Sequence, residues 1–384
     1  MYNQIVHGNL VMLHRAPKLN KSERDTLQSI EDARDKLKHR IAAPNRWLGV
    51  LRRNSFARAI RGSNSIEGYN VTADDAIAAA QGEEPVEAER VAWLAVTGYR
   101  NAMTYVLQLA TDPHFSYNEG FIRSLHYMML LYDLPKHPGC WRPGPIYVRD
   151  DERREVVYEG PDADLVPELI DELIADLNSE RTDPVLVRAA MAHLNLVMIH
   201  PFSDGNGRMA RCLQTLVLAR EGILEPQFCS IEEYLGRNTQ AYYDVLAAVG
   251  QGRWTPRNDA RRWIRFCLTA HYRQAETLLR RTSEISRLWD ELEELVRLHQ
   301  LPERMQFALA DAAMGLRVRN ASYRSAAEVS ENLASRDLSL LVRKGLLMAD
   351  GERRGRVYVA SDDLKRIRDK TLEPRKMIDP VYDD

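Results

Sequence analysis

The chain has 384 residues, of which 45% are hydrophobic and 28% are charged, and its formal net charge is −2. This length predicts two or three domains with a substantial core, and the composition is that of an ordinary globular protein. The nearly balanced charge gives no indication of a polyanionic partner.

The four cysteines are Cys140, Cys212, Cys229 and Cys267. None of them pair at the spacing of metal ligands, and we expect reduced, buried thiols in a cytoplasmic protein. The N-terminus lacks a basic start followed by an apolar run, so we predict no signal peptide. No stretch approaches about 18 uninterrupted apolar residues, so we also predict no membrane span.

Apolar residues recur at helical spacing through most of the first 300 positions. The predicted helices include KSERDTLQSIEDARDKLKHRIAA, EAERVAWLAVTGYRNAMTYVLQLA, NEGFIRSLHYMMLLYDL, PDADLVPELIDELIADLNSE, DPVLVRAAMAHLNLVMIH, RMARCLQTLVLAREG, TQAYYDVLAAVGQG and the long segment from NDARRWIRF to LVRLHQ. The fifth of these is apolar on nearly all sides, which is typical of a central, buried helix. The sequence therefore predicts an all-α domain.

Two segments depart from the helical pattern. Around a charged centre, the segment GPIYVRDDERREVVYEGP has two runs rich in β-forming residues, which predicts a β-hairpin. After the Leu301-Pro302 break, short helices precede ASRDLSLLVRKGLLMADGERRGRVYVAS, in which a helix, a strand, a basic turn and a second strand follow one another. That order predicts a C-terminal winged helix-turn-helix domain.

The stretch HPFSDGNGRMAR, from His200 to Arg211, joins the central helix to the next one. Pro201 ends the first helix, and Gly205 and Gly207 let a ligand approach the main chain. If the second helix begins at about Asn206, its free N–H groups and its positive dipole end form a site for phosphate.

The charged side chains of this stretch suit a polyphosphate ligand. Arg208 and Arg211 lie three residues apart and project on one side of the helix start, where two guanidiniums are unfavourable without an anion. Asp204 is an oxygen ligand suited to Mg²⁺, and His200 can act as a general base near neutral pH. The alternative is a tight turn between two buried helices.

These twelve residues resemble the motif of the Fic family, HPFx(D/E)GNGRxxR, at every fixed position. The resemblance extends over about residues 50 to 280, and it implies an all-α Fic fold that transfers AMP from ATP to a hydroxyl group of a protein. Magnesium or manganese would be the cofactor. The partner would be a target protein or the chain itself, and a homodimer is plausible by resemblance.

The resemblance also implies a role for each position of the motif. His200 would deprotonate the Ser, Thr or Tyr hydroxyl of the target, and Asp204 would hold the metal between the α- and β-phosphates. The other roles are as follows: Phe202 would hold the loop in the core, Gly205, Asn206 and Gly207 would form the anion hole, Arg208 would bind the β-phosphate region, and Arg211 would bind the γ-phosphate.

Two further segments resemble parts of the family site. The hairpin is similar to the flap that aligns an extended target segment by strand addition, with Ile146, Tyr147, Val148 and Arg149 as one strand and 156–158 as the other. Tyr243 and Leu246 match positions that face the adenine base, and Gly250 stands where many relatives have asparagine. The alternatives are a plain surface hairpin and a tyrosine pair that packs in the core.

The segment RGSNSIEGYN resembles the family's inhibitory pattern (S/T)xxxE(G/N), which Ser63, Glu67 and Gly68 match. The resemblance implies that Glu67 pairs with Arg211 and takes the place of the γ-phosphate. The alternative is that Ser63 caps the start of a helix whose glutamate is solvated.

The expected organisation is an N-terminal helical region over 1–100 with the inhibitory helix at about 60–70, a Fic catalytic domain over 101–300, and a winged helix-like domain with a tail over 301–384. Three other functions stay open: removal of AMP with Glu67 as a catalytic residue, transfer of UMP or phosphocholine, and DNA binding by the C-terminal domain. For DNA, the candidate contacts are Arg336, Arg343 and Lys344 with the basic turn DGERRGR, although the segment is only weakly basic.

Overall fold

A computed structural model describes residues 13–42, 45–150, 155–180, 182–222, 225–352, 356–375 and 378–383. Within these ranges the chain is mostly helical, as predicted. The helices are α1 Lys21–Ala42, α2 Trp47–Ile66, α3 Ala73–Gln81, α4 Arg90–Leu109, α5 Glu119–Leu130, α6 Val166–Asn178, α7 Val185–Ile199, α8 Asn206–Arg220, α9 Glu232–Arg237, α10 Thr239–Gly250, α11 Arg261–Leu298, α12 Gln306–Ala313, α13 Asn320–Ala327, α14 Glu331–Arg343 and α15 Asp362–Thr371. The strands are β1 Tyr147–Asp150, β2 Glu155–Glu159, β3 Gly252–Arg253, β4 Leu347–Asp350 and β5 Val357–Ala360.

The centre of the fold is the pair α7 and α8, which the candidate loop joins. Nearly every residue of both helices is buried, as expected for a helix that is apolar on all sides. The long helix α11 packs along α1 and also reaches α7, where the Trp263 indole N–H donates to the carbonyl oxygen of Ala190 at 2.7 Å. The loop between α7 and α8 therefore connects two buried helices of the core.

Helix α2, which carries the predicted inhibitory segment at its C-terminal end, is an element of the core. It crosses α9 at two glycines: a Cβ added to Gly236 would lie 2.7 Å from the α-carbon of Gly62. The structure corrects the bounds of the inhibitory helix, which begins at Trp47 and ends at Ile66. Ser63 is fully buried in its last turn, so the alternative in which Ser63 caps a helix start is wrong.

The hairpin predicted from the sequence is present. Strands β1 and β2 pair antiparallel with a bulge between Val148 and Arg149, and β3 adds to the other side of β2 in parallel. β1 is thus the outer strand of this sheet in the described part of the chain. Ile146 lies just before β1, although its carbonyl oxygen still accepts a hydrogen bond from the N–H of Gly160 at 3.1 Å.

The C-terminal segment contains α12 to α15 and the antiparallel pair β4 and β5, with a bridge between Val318 and Tyr358. It packs against the N-terminal helices through ion pairs. Arg53 of α2 pairs with the buried Asp311 of α12, and Arg317 pairs with Asp74 of α3 at 2.7 Å. The C-terminal segment therefore contacts the N-terminal region at α2 and α3.

One expected domain boundary lies within a helix, and the other lies in a turn. The boundary between residues 100 and 101 lies inside α4, whereas the one between 300 and 301 lies in the turn after α11. The described residues contain no disulfide bond, and of the four cysteines Cys140 is exposed, so for this residue the expectation of a buried thiol is wrong. Among the described residues, no helix combines the length and apolar character needed to cross a membrane.

We predict that the contact between α2 and α9 does not tolerate a side chain. In Gly62→Ala, the new methyl group would overlap the Glu232 carbonyl and come within 2.9 Å of the Glu233 α-carbon, so the free energy of unfolding should fall by about 1–3 kcal/mol. Thermal or denaturant unfolding measures the change.

Gly49→Ala, on the same helix, is the matched control. An added Cβ there has no atom within 4 Å, and alanine should stabilise the helix by up to about 1 kcal/mol. Equal unfolding free energies for the two variants would contradict the proposed tight crossing.

Candidate active site

The loop from His200 to Gly205 is fixed by backbone geometry and by one side chain. His200 ends α7 in the left-handed conformation with φ 52°, and Gly205 precedes α8 with φ 78°. The Asn206 side chain makes two hydrogen bonds to the main chain of Phe202: its Oδ1 accepts from the N–H and its Nδ2 donates to the carbonyl oxygen, each at 2.9 Å. Phe202 itself is fully buried, as predicted. Asn206 therefore holds the loop closed.

His126 of α5, which the sequence did not indicate, contacts the loop at Phe202 and Asp204. Its ring stacks on Phe202 with the centroids 3.7 Å apart. Its Nδ1 accepts from the Gly139 N–H at 2.8 Å, so Nε2 carries the proton and donates to the carbonyl oxygen of Asp204 at 3.0 Å. Burial lowers the pKa of His126 to about 4, which keeps the ring in the neutral form that both bonds need.

His200 is oriented as a base. Its Nδ1–H donates to the carbonyl oxygen of Val197 at 3.0 Å, which leaves the lone pair on Nε2 free to accept a proton. Burial lowers the pKa of His200, and the charge of Arg142 adds to this effect. The hydrogen bond to Val197 and the carboxylates of Glu67 and Asp204 oppose it.

Arg211 and Glu67 form the ion pair that the sequence predicted. The buried guanidinium donates from Nη2 to Oε1 of Glu67 at 2.7 Å and to the carbonyl oxygen of Ser63 at 3.0 Å. Its Nε donates to the Ser63 hydroxyl at 2.7 Å. Burial is the largest single effect and disfavours the charge, but attraction to Glu67, Tyr242 and Tyr99 together with the hydrogen bond to Glu67 raises the pKa of Arg211. Gly68 follows with φ 82°, which favours glycine at that turn.

Arg208 differs from Arg211 because its charge has no bonded partner. Its side chain is completely buried, and none of its three nitrogen atoms has a hydrogen-bond partner among the described residues. The Tyr69 ring lies 5.3 Å from the guanidinium carbon, and the nearby Tyr132 hydroxyl is likewise unsatisfied. A buried, unsatisfied guanidinium is unfavourable, so this site is incomplete without an anion.

The start of α8 lies beside these arginines. The first N–H groups of the helix have no acceptor within the helix, and no side chain caps them. A Cβ on Gly207 would lie 2.6 Å from Oε1 of Glu67 and 3.1 Å from Nη1 of Arg211. Glycine at this position therefore lets a ligand, or Glu67 in its place, approach the helix backbone.

Asp204 lies at the edge of the same site. Its Oδ1 accepts from the N–H of Gly205 at 2.6 Å, and its Oδ2 faces the ammonium of Lys136 at 3.5 Å. Lys136, which lies between α5 and β1, was not identified from the sequence. The described residues contain no group of three or more acidic, histidine or cysteine side chains that would hold a metal by themselves.

The tyrosine pair of α10 divides between the core and the site. Tyr242 is buried and its hydroxyl bonds Nε2 of His193 at 2.9 Å, so the core-packing alternative holds for this residue. Tyr243 is 43% exposed and donates to the carbonyl oxygen of Ile66 at 3.0 Å, next to Glu67. Leu246 lies half-buried one turn later, and a Cβ on Gly250 would meet the ring of Tyr158 at 3.0 Å.

Residues 116–218 match the model of the Fic/DOC family. A protein adenylyltransferase Fic from Nematostella vectensis is 26% identical over 74% of this chain and 64% of its own length. The protein adenylyltransferase fic-1 of Caenorhabditis elegans is 46% identical, but over only 18% of this chain and 15% of its own. The chain thus spans less than two thirds of these curated relatives.

Two solved structures share the fold. A Fic family protein from Desulfovibrio desulfuricans G20 aligns with a TM-score of 0.57 and 21% identity, covering 91% of this chain and 99% of its own. Fic-1 from C. elegans aligns with a TM-score of 0.53 and 23% identity, covering 67% and 72%. The range that matches the Fic/DOC family model contains the whole loop from His200 to Arg211.

Proposed function

We propose that this protein transfers AMP from ATP to a Ser, Thr or Tyr hydroxyl of a protein, and that Glu67 restrains the reaction. The main support is the buried Arg208, whose guanidinium has no hydrogen-bond partner among the described residues, beside Arg211, whose acidic partner is Glu67. A triphosphate would satisfy both charges through forked hydrogen bonds. The relatives named protein adenylyltransferase lend further support.

In the proposed reaction, the β- and γ-phosphates contact Arg208 and Arg211, and the N–H groups at the start of α8 face the α-phosphate. The target hydroxyl attacks the α-phosphorus while Nε2 of His200 accepts its proton. A new O–P bond forms, the bond between the α-phosphorus and the bridging oxygen breaks, and pyrophosphate leaves. Preorganised N–H donors and guanidiniums stabilise the charge that develops on the phosphate oxygens.

The residues present fit a magnesium or manganese ion that is held mainly by phosphates. Asp204 offers one carboxylate, which already faces the cationic Lys136, and Mg²⁺ commonly binds through one or two carboxylates and substrate phosphates. Asp204 would hold the ion beside the phosphates of the nucleotide. When bound, the ion neutralises phosphate charge.

The restraint follows from competition for one guanidinium. Oε1 of Glu67 lies 2.7 Å from Nη2 of Arg211, and the carboxylate is 24% exposed, so it can turn towards solvent. Ser63 would still hold two nitrogens of Arg211 after such a turn. ATP would therefore replace the carboxylate without reorienting the arginine.

Two neighbouring surfaces complete the proposal. The outer strand of the hairpin, with Ile146, Tyr147, Val148 and Arg149, would pair with an extended target segment. Tyr243 and Leu246 would contact the adenine. We further propose that 301–384 form a winged helix-like domain, supported by the order of α12 to α14 followed by the β4–β5 pair.

We predict that Glu67→Gly raises self-modification with labelled ATP at least about tenfold, because it frees Arg211 for the γ-phosphate. The matched control is Glu221→Gly, which removes another glutamate that ends a helix and pairs with an arginine, here Arg188. The control should not change labelling. No rise in Glu67→Gly would refute the restraint. Release of AMP from a pre-labelled protein by the unchanged chain would show removal instead.

We predict that His200→Ala, in the Glu67→Gly background, lowers the transfer rate by about 100-fold or more, since a general base is lost. ATP binding, measured by calorimetry, should persist because the imidazole does not hold phosphate. The exposed His114 provides the control, and His114→Ala should transfer at the parent rate. Undiminished transfer in His200→Ala would rule out His200 as the base.

The pH dependence of transfer should reflect the lowered pKa of His200. A base must be neutral, and it is neutral above its pKa, so lowering the pKa moves the acidic loss of activity to lower pH. We expect the midpoint of this loss to lie below about 6.5 for the Glu67→Gly variant at saturating ATP. ATP affinity measured at each pH separates binding from catalysis, and a midpoint at or above that value contradicts the prediction.

A further inference from the structure

We propose that Arg142 is a positioning residue that fixes the catalytic base and the target-binding hairpin relative to each other. This inference rests on the proposed function, because it assumes that His200 is the base and that the hairpin presents the target. Arg142 lies in the loop before β1. Its hydrogen bonds to described residues reach neither the phosphate site nor any residue of the inhibitory pattern.

The guanidinium of Arg142 joins three segments through main-chain oxygens. Its Nε donates to the carbonyl oxygen of His200 at 2.8 Å. Its Nη1 donates to Gly144, just before β1, at 2.6 Å, and its Nη2 donates to Pro161, just after β2. The main-chain N–H of Arg142 also donates to the carbonyl oxygen of Pro201 at 2.9 Å. One residue thus bonds to the base, to its neighbour and to both ends of the hairpin.

These contacts place a cation in an environment of carbonyl dipoles. Arg142 is 4% exposed, and each of its three side-chain nitrogens bonds a carbonyl oxygen, so no carboxylate takes part in these bonds. Burial lowers the pKa of Arg142, while Tyr158 and Asp162 oppose that effect. A planar fork of fixed donors is what this arrangement requires, and a lysine could not reach all three oxygens in the same geometry.

If Arg142 only stabilised the hairpin, it would not need hydrogen bonds to the main-chain oxygens of His200 and Pro201. A two-stranded hairpin is marginally stable alone, and this one has a second connection to α7, since the Tyr158 hydroxyl donates to the carbonyl oxygen of Met198 at 2.7 Å. Arg142 differs from Tyr158 because it bonds the His200 residue itself. The bond holds the main chain of His200 at the point where its backbone is left-handed, with φ 52°.

The consequence for catalysis is geometric. An acceptor hydroxyl on a segment paired with β1 reaches Nε2 of His200 only if the hairpin and the imidazole keep a fixed separation. Misplacement of reacting groups by about 1 Å can lower a rate about 100-fold. Arg142 should therefore act on the rate of transfer rather than on nucleotide affinity, since its contacts lie outside the phosphate site.

The kinetic test compares Arg142→Met and Arg142→Lys in the Glu67→Gly background. We expect kcat of self-modification to fall about 100-fold in Arg142→Met and about tenfold in Arg142→Lys, which keeps the charge but loses the fork. KM for ATP should stay within about twofold of the parent. The control is Arg188→Met, which removes a surface arginine of α7 that pairs with Glu221 and should leave both constants unchanged.

A second readout does not depend on activity. By hydrogen–deuterium exchange, amides of 144–149, 155–161 and 197–202 should exchange roughly tenfold faster in Arg142→Lys, whereas those of α14 should not change. If Arg142→Met does not fold, Arg142→Lys decides. The proposal is overturned if Arg142→Lys matches the parent in both kcat and exchange, or if its defect is a raised KM for ATP with kcat unchanged. Failure of the parent to transfer AMP would refute the proposed function, while exchange would still test the coupling.

Discussion

The structure depends on one electrostatic constraint: two buried guanidiniums lie beside the positive end of α8, and such a site needs negative charge. Arg211 obtains it from Glu67, whereas Arg208 obtains none from a direct ion pair, and Glu67, Tyr132 and Asp204 favour its charge across the site. Because the helix start, the glycines and the arginines all favour an anion, Glu67 and the proposed triphosphate are alternative ways to supply the negative charge. The proposed restraint and the proposed binding of ATP would therefore arise from one arrangement.

The position of α2 in the core limits how the restraint can be lifted. Gly62 and Gly236 bring α2 and α9 into backbone contact, and Arg53 pairs with the buried Asp311 of α12. Moving the whole helix would break these contacts and expose its buried face. Turning the half-buried side chain of Glu67 breaks only the bond to Arg211 and costs far less. Relief of the proposed inhibition would therefore be a local rearrangement at the end of the helix.

Features that depend on residue types were predicted from the sequence, whereas contacts that tertiary packing creates were missed. The start of α8 at Asn206 was predicted from the glycines of the loop, and the pairing of Glu67 with Arg211 was predicted from the family resemblance; both are present. His126 was missed because it stands in an apolar helix where a histidine resembles any core residue. Arg142 was missed because its partners are main-chain oxygens, which leave no pattern of side chains to recognise.

The proposed base, His200, is held in one orientation even before a ligand binds. His200 has a left-handed backbone, its Nδ1–H bonds Val197, and its carbonyl oxygen bonds Arg142, so one backbone conformation and two hydrogen bonds orient the residue, and the bond to Val197 selects the tautomer. None of them involves ATP or Glu67. The imidazole is consequently preorganised, and in the proposed reaction only the phosphate side of the site would have to change. The proposed restraint, which acts on phosphate binding alone, could thus be lifted without rebuilding the proposed base.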